Sequence, residues 1–144
     1  MAFKNLTNAA AIPDSPEALF LDFRNRRVKG LIAHQANVLR AYIDKAKDLP
    51  DVAFQLPTGS GKTLVGLLLG EWRRRTFGER VVYLCPTKRL VNQVVEQARK
   101  DYGMKVTGFV GSQRDYSQKS KTDYLSGDTI AVTNSRKSSS DRFT

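Results

Sequence analysis

The sequence predicts an α/β domain built on a parallel sheet, and three observations carry that expectation. Short apolar runs recur along the chain: VAFQL (52–56), VVYLC (81–85), KVTGFV (105–110) and TIAVT (129–133). Between them lie stretches whose apolar residues fall at helical spacing, and strands alternating with helices make parallel sheets. VVYLC is apolar on both faces, the pattern of a strand covered on both sides. The 144 residues suffice for one domain with a real core and are too few for two of ordinary size. No internal repeat is present.

The elements follow in chain order. Asp14-Ser15-Pro16-Glu17 opens a first helix, with a polar cap and proline in the first turn. That short helix carries Leu19, Phe20 and Phe23. RNRRVK (24–29) reads as a solvated turn. From His34 to Lys47, Val38, Leu39, Tyr42, Ile43 and Ala46 form one helical stripe, which Pro50 stops. VAFQL is expected as a strand that runs straight into the turn PTGSG. Residues 62–75 resume as a helix, apolar on most sides, and Arg73, Arg74 and Arg75 suit its negative pole. Pro86-Thr87 opens the next helix, striped by Leu90, Val91, Val94, Val95 and Ala98, and Gly103 ends it. The polar stretch 111–128 holds a short helix before Leu125. NSRKSSSDRFT, the last eleven residues, has no period and no apolar face.

Composition narrows the partners. Lys and Arg number 24 against 14 Asp and Glu, a net charge of +10 that falls mostly after residue 50. Such a charge attracts polyanions and makes any binding to them salt-sensitive. The single cysteine, Cys85, excludes an internal disulfide and fits a reducing compartment. The start lacks a secretory apolar stretch, and LVGLLLG (64–70) is far short of the ~20 residues of a membrane span. A soluble, cytoplasmic protein with no membrane partner is expected.

LPTGSGKT (56–63) is the stretch with chemistry in it. A strand ending in a small-residue turn aims backbone N–H groups at one point, and the helix that follows adds its positive pole. Gly59 and Gly61 let the backbone close around phosphate oxygens, with Thr58 and Ser60 completing the turn. Lys62 can reach terminal phosphates, and the Thr63 hydroxyl can take one position on Mg²⁺. The usual pattern G-x-x-x-x-G-K-[ST] would place glycine at 56, where this chain has leucine. A glycine turn that only joins strand to helix would use the same residues.

PTGSGKT, followed one strand later by PTKRLVNQ (86–93), resembles the first motifs of superfamily-2 helicases of the DEAD/DEAH and restriction-helicase type. That family commonly replaces the first glycine. The resemblance covers about residues 30–133 and implies a partial, incomplete RecA-like domain, with 1–29 as a helical extension and 134–144 as an irregular tail. It implies ATP and Mg²⁺ as cofactors and a nucleic acid, DNA or RNA, as partner. It makes Gln35 the glutamine that reads adenine, because a side-chain amide can pair with both an amino group and a ring nitrogen. PTKRLVNQ resembles a motif that contacts one nucleic-acid strand: Pro86, Thr87, Leu90 and Gln93 match, and after Thr87 come Lys88 and Arg89, where the common version has a base then an acid. Independently of the family, a helix start with a hydroxyl and two cations can hold a phosphate. Gly111 and Thr133 resemble two further strand-contacting motifs, although a turn glycine and a strand threonine are ordinary in those places.

The carboxylates of phosphoryl transfer are not evident. The family supplies a Mg²⁺ ligand and a water-orienting group from one Asp-Glu pair, and this sequence has no two adjacent acidic residues. Asp128 comes before its strand, and Asp141 follows SRKSSS. The expectation is therefore an ATP- and nucleic-acid-binding chain with no catalytic residues of its own, cut short before the Asp-Glu motif and unable to hydrolyse or unwind alone. A sheet lacking strands would expose an edge that a protein or chain segment could complete. The alternative is a non-enzymatic module that docks on a helicase or on nucleic acid.

Overall fold

The computed structural model describes residues 11–59 and 61–135. Five helices and three strands follow in the order α1 (Pro16–Asp22), α2 (Ala33–Lys45), α3 (Lys62–Phe77), β1 (Val82–Cys85), α4 (Lys88–Tyr102), β2 (Val106–Phe109), α5 (Gln118–Leu125) and β3 (Ile130–Asn134), with a 3-10 turn at Gln113–Asp115. The sheet is parallel throughout, in the order β1-β3-β2. This is the mixed α/β architecture of a partial RecA-like domain.

Local chemistry explains the helix ends. Ser15 caps α1 by accepting from the Ala18 N–H at 3.2 Å, and Pro16 occupies the first turn. Thr87 caps α4 in the same way through the Leu90 N–H at 3.2 Å. Gly78 and Gly103 close α3 and α4 in the left-handed conformation, and the Met104 N–H turns back onto the Ala98 carbonyl.

The sheet register sorts the two faces. Tyr83, Val132 and Gly108 lie in one row, which faces α3 at Gly66 and α4 at Val91 and Val95. Leu84, Thr133 and Phe109 form a row on the other face, where Tyr116 and Tyr124 meet the Phe109 ring edge-on. β3 is central and wholly buried. The core joins α1, α2, α3 and the sheet through Phe20, Leu39, Leu67, Leu68, Trp72, Ile130 and Val132. Each large side chain fully buried there contributes about 1.5–3 kcal/mol. The residues of α1, expected as an extension, share this core: Phe20 packs on Tyr102, and Trp72 donates its indole N–H to the Pro13 carbonyl at 3.0 Å.

Two expectations are corrected. VAFQL is not a strand: residues 51–57 carry no regular structure and are largely exposed. A strand needs a neighbour to satisfy its backbone, and β3, not this segment, lies beside β1. Phe54 instead leans edge-on against Tyr42 at 5.9 Å, beside a cavity of about 710 Å³ lined by α2, α3 and the 47–54 segment. VVYLC is not covered on both sides either. β1 ends the sheet, and Val82 (37% exposed) and Leu84 (62%) face outward. Asn134 belongs to β3, and residues 136–144 of the expected tail lie outside the described residues.

Candidate functional site

The turn ahead of α3 has the backbone that its glycines permit. Gly59 (φ +76°) and Gly61 (φ +72°) are both left-handed, a conformation that costs other residues roughly 1–2 kcal/mol. The first helical bond of α3 runs from the Val65 N–H to the Gly61 carbonyl at 3.4 Å. The N–H groups of Lys62, Thr63 and Leu64 therefore stand at the helix start without intrahelical partners. Thr58, Gly59, Gly61 and Lys62 are exposed and Thr63 is half-buried, whereas Ser60 lies outside the described residues.

Gln35 reaches this turn from another helix. It is 6% exposed and sits in the first turn of α2. Its Oε1 accepts from the Ile32 N–H at 3.1 Å, and its Nε2 donates to the Gly61 carbonyl at 3.3 Å. A Cβ at position 61 would stand 2.3 Å from that Nε2 and displace the amide, and φ +72° favours glycine there in any case. Gln35 thus bridges the start of α2 to the start of α3.

The far wall is β1. The Tyr83 ring lies against α3 at Gly66, where an added Cβ would come within 2.9 Å of Cε2 and 3.7 Å of the hydroxyl oxygen. Burial pushes the Tyr83 phenol up, partly offset by the neighbouring Thr63 side chain. Cys85 is buried, and burial raises its thiol above the usual range, which makes it an inert core residue.

The residues present fit a triphosphate. A Cβ at Gly59 would meet nothing within 4 Å, so the turn is open to a ligand, and the exposed Lys62 cation stands at the helix start. A Mg²⁺ ion at this turn would meet the half-buried Thr63 hydroxyl at the start of α3. No group of three or more His, Cys, Asp or Glu placed to hold a metal occurs among the described residues. Asp128 lies at the start of β3, the opposite end of the sheet from Cys85 and Thr87, and accepts from Ser126.

The second cluster is at the start of α4. Pro86, Thr87, Lys88 and Arg89 are all exposed. Two cations at the positive pole oppose the helix dipole, a cost of about 0.3–1 kcal/mol each that an incoming anion would relieve. Pro86 follows Cys85 out of the sheet, and Gly111 and Ser135 leave the same carboxyl edge, where ligands of open α/β sheets bind.

Gly111 and Thr133 have structural duties. Gly111 (φ +86°) makes way for Asp115, whose Oδ2 accepts from both the N–H and the hydroxyl of Ser112 and would stand 2.8 Å from a Cβ at 111. Thr133 is buried, and its hydroxyl donates to the Phe109 carbonyl at 2.7 Å, inside the sheet. The Thr133 hydroxyl is thus engaged within the sheet. The sequence does not single out Tyr83 as a neighbour of the turn. Gly66, a glycine inside an apolar helix three residues after Thr63, is the signal that a bulky group approaches there.

A model of the DEAD/DEAH box helicase family matches residues 33–140, which span Gln35, the glycine turn, PTKRLVNQ and β3. Searches of curated proteins and of solved structures returned no match.

Proposed function

The chain belongs to the DEAD/DEAH box helicase family, and on that premise we propose that these residues form the ATP- and nucleic-acid-binding part of a superfamily-2 helicase motor. The observation that carries the reading is the Gln35–Gly61 bond. It brings a residue of α2 onto the phosphate turn 26 positions away, a contact that no local rule of helix or turn requires.

ATP with Mg²⁺ supplies the phosphoanhydride whose cleavage powers such motors. The chain's own residues bind and orient. Gly59 and Gly61 open the backbone, the N–H groups at the start of α3 donate to phosphate oxygens, and Lys62 offsets their charge. Thr63 offers a hydroxyl to the metal. Gln35 fixes the Gly61 carbonyl and lies where the adenine edge would approach. Lys88 and Arg89, at the start of α4, take nucleic-acid phosphates, with Thr87 and Pro86 shaping the turn.

These residues bind nucleotide without splitting it. The sequence has no adjacent acidic pair, and Asp128 is at the wrong end of the sheet. The bare side of β1 is where a further protein or chain segment would complete the layer. A cytoplasmic setting suits the lone buried cysteine.

Titration with a fluorescent ATP analogue tests the reading. Lys62→Ala should weaken binding at least about tenfold, the loss of one charge-assisted contact. Equal binding by wild type and variant would end the phosphate-cradle assignment. Mg-ATP turnover abolished by Lys62→Ala would show hydrolysis by these residues after all. Nucleic-acid affinity should fall steeply with salt, and Lys88→Ala with Arg89→Ala should reduce that slope by about two phosphate contacts.

A further inference from the structure

The loop between α1 and α2 gathers cations at the end of α4 farthest from Lys88 and Arg89. RNRRVK (24–29) places Arg24, Arg26, Arg27 and Lys29 close together in the chain, and all four are exposed. The loop is held against the protein. Phe23 leads into it from the core at 8% exposure, and Leu31 after it packs on the same core. Between them the Arg27 N–H donates to the Asp101 carbonyl at 3.0 Å, and the Arg27 guanidinium reaches the Asp101 carboxylate at 3.4 Å. Asn25 lies 3.5 Å from the place a Cβ would take on Gly103, the residue that ends α4. Arg26 donates to the Lys29 carbonyl at 3.3 Å and lies over the Phe20 ring.

Like charges this close repel one another. The Asp101 carboxylate and the negative pole of α4 offset that for Arg27. The Arg24 and Lys29 side chains have no such partner among the described residues. A pinned loop presents its cations at little cost in ordering, which favours binding of an anion. Arginine forks match phosphodiester oxygens. A lipid surface is a poorer fit. Leu19 and Phe20 of α1 turn inward, and Leu21 and Val28 are the large apolar residues that α1 and the loop leave exposed, too little to anchor in lipid.

We propose that the 24–29 loop is a second nucleic-acid contact, in which Arg24, Arg26 and Lys29 hold the phosphate backbone. The loop has no aromatic ring on which a base could stack, so the contact is independent of base sequence. α4 has 15 residues and is about 22 Å long. The loop is therefore separate from the start of that helix, and its effect adds to that of Lys88 and Arg89. The inference stands whether or not those two residues take phosphates.

The experiment is fluorescence anisotropy of a labelled DNA duplex and of a labelled single-stranded RNA with the whole chain, across a salt series. Arg24→Gln with Lys29→Gln removes the two unpartnered cations and keeps the backbone bonds of the loop. It should make the slope of log affinity against log salt shallower by about 1.5–2, the share of two phosphate contacts. Arg24→Lys with Lys29→Arg should keep the slope. Lys45→Gln with Arg80→Gln removes the same charge from exposed sites elsewhere and should leave the slope unchanged. A loop variant with the wild-type slope overturns the inference, and so does a control that flattens the slope equally, the mark of net charge alone. Wild-type binding to phosphatidylserine vesicles but to neither nucleic acid, lost in the loop variant, would overturn it in favour of a membrane surface. If Lys88→Ala with Arg89→Ala changes nothing while the loop variant does, the reading of the α4 start falls and this one stands. Binding to neither nucleic acid nor vesicles ends both.

Discussion

Gln35 has both ends of its amide engaged, one on its own helix start and one on the Gly61 carbonyl. An adenine-reading residue and a turn-holding residue make different predictions. If Gln35 holds the turn, Gln35→Ala should weaken binding of inorganic tripolyphosphate, which has no base, by about three- to tenfold. Competition against the fluorescent nucleotide would measure it, and an unchanged tripolyphosphate affinity alongside weaker ATP binding would assign Gln35 to the base only. At this scale the sequence was informative where chemistry is local. The motif gave Gly59, Gly61, Lys62 and Thr63, and the left-handed angles of both glycines follow from the same demand for close approach. Thr133 was not legible in the same way. Whether a strand hydroxyl faces solvent or the next strand's carbonyl depends on lateral pairing, which the residue string does not contain.

α3 combines a site at one end with a charged lock at the other. Glu71 is 1% exposed and is held by Arg74 at 2.8 Å and Arg75 at 2.7 Å, and Arg74 also donates to the Gly127 carbonyl. Burial pushes the Glu71 carboxyl up, but the bonds and charges of the two arginines together outweigh it and hold the carboxyl below its usual range. A lowered folded value means stability that is present in full above the unfolded-chain value of about 4.3 and is lost as the pH falls through the folded one. Glu71→Gln should cost about 1–3 kcal/mol at neutral pH, because it removes the charged partner of the half-buried Arg74, which keeps its bond to the Gly127 carbonyl, while Arg75, more exposed, contributes little through screening. Urea unfolding across pH would show the two proteins converging in acid; a constant gap down to pH ~2 would mean that the ion pair is not the source. These helix ends were legible because their caps and stops are local: Ser15, Thr87 and Gly103 each sit where their residue type is preferred. The arginines were read only as suiting the helix pole. Glu71 gave no signal of burial, because one acid among three arginines looks like a solvated face. VAFQL failed for the converse reason, since its composition favours a strand but no neighbour is there to pair with it.

The whole molecule presents one face of its sheet more openly than the other. α3 and α4 cover the row of Tyr83, Val132 and Gly108, but opposite them Val82 and Leu84 face outward at the end of the sheet. A parallel sheet is ordinarily buried on both faces, and an edge with apolar side chains invites pairing with another chain. The order β1-β3-β2 creates this exposure, and strand order is a tertiary outcome: nothing in VVYLC says that it will end the sheet. The high positive charge opposes self-association at low salt, and screening lifts that opposition as salt rises. Sedimentation velocity should therefore show the weight-average coefficient rising with concentration, and more steeply at high salt. Leu84→Lys with Val82→Thr should flatten that rise and shift stability by no more than about 0.5 kcal/mol per site, as for surface substitutions. Nucleotide affinity should be unaffected, since both side chains point away from α3. If the variant associates as wild type does, the adhesive surface lies elsewhere, and the exposed apolar groups of the 49–54 segment beside the α2–α3 cavity become the place to substitute next.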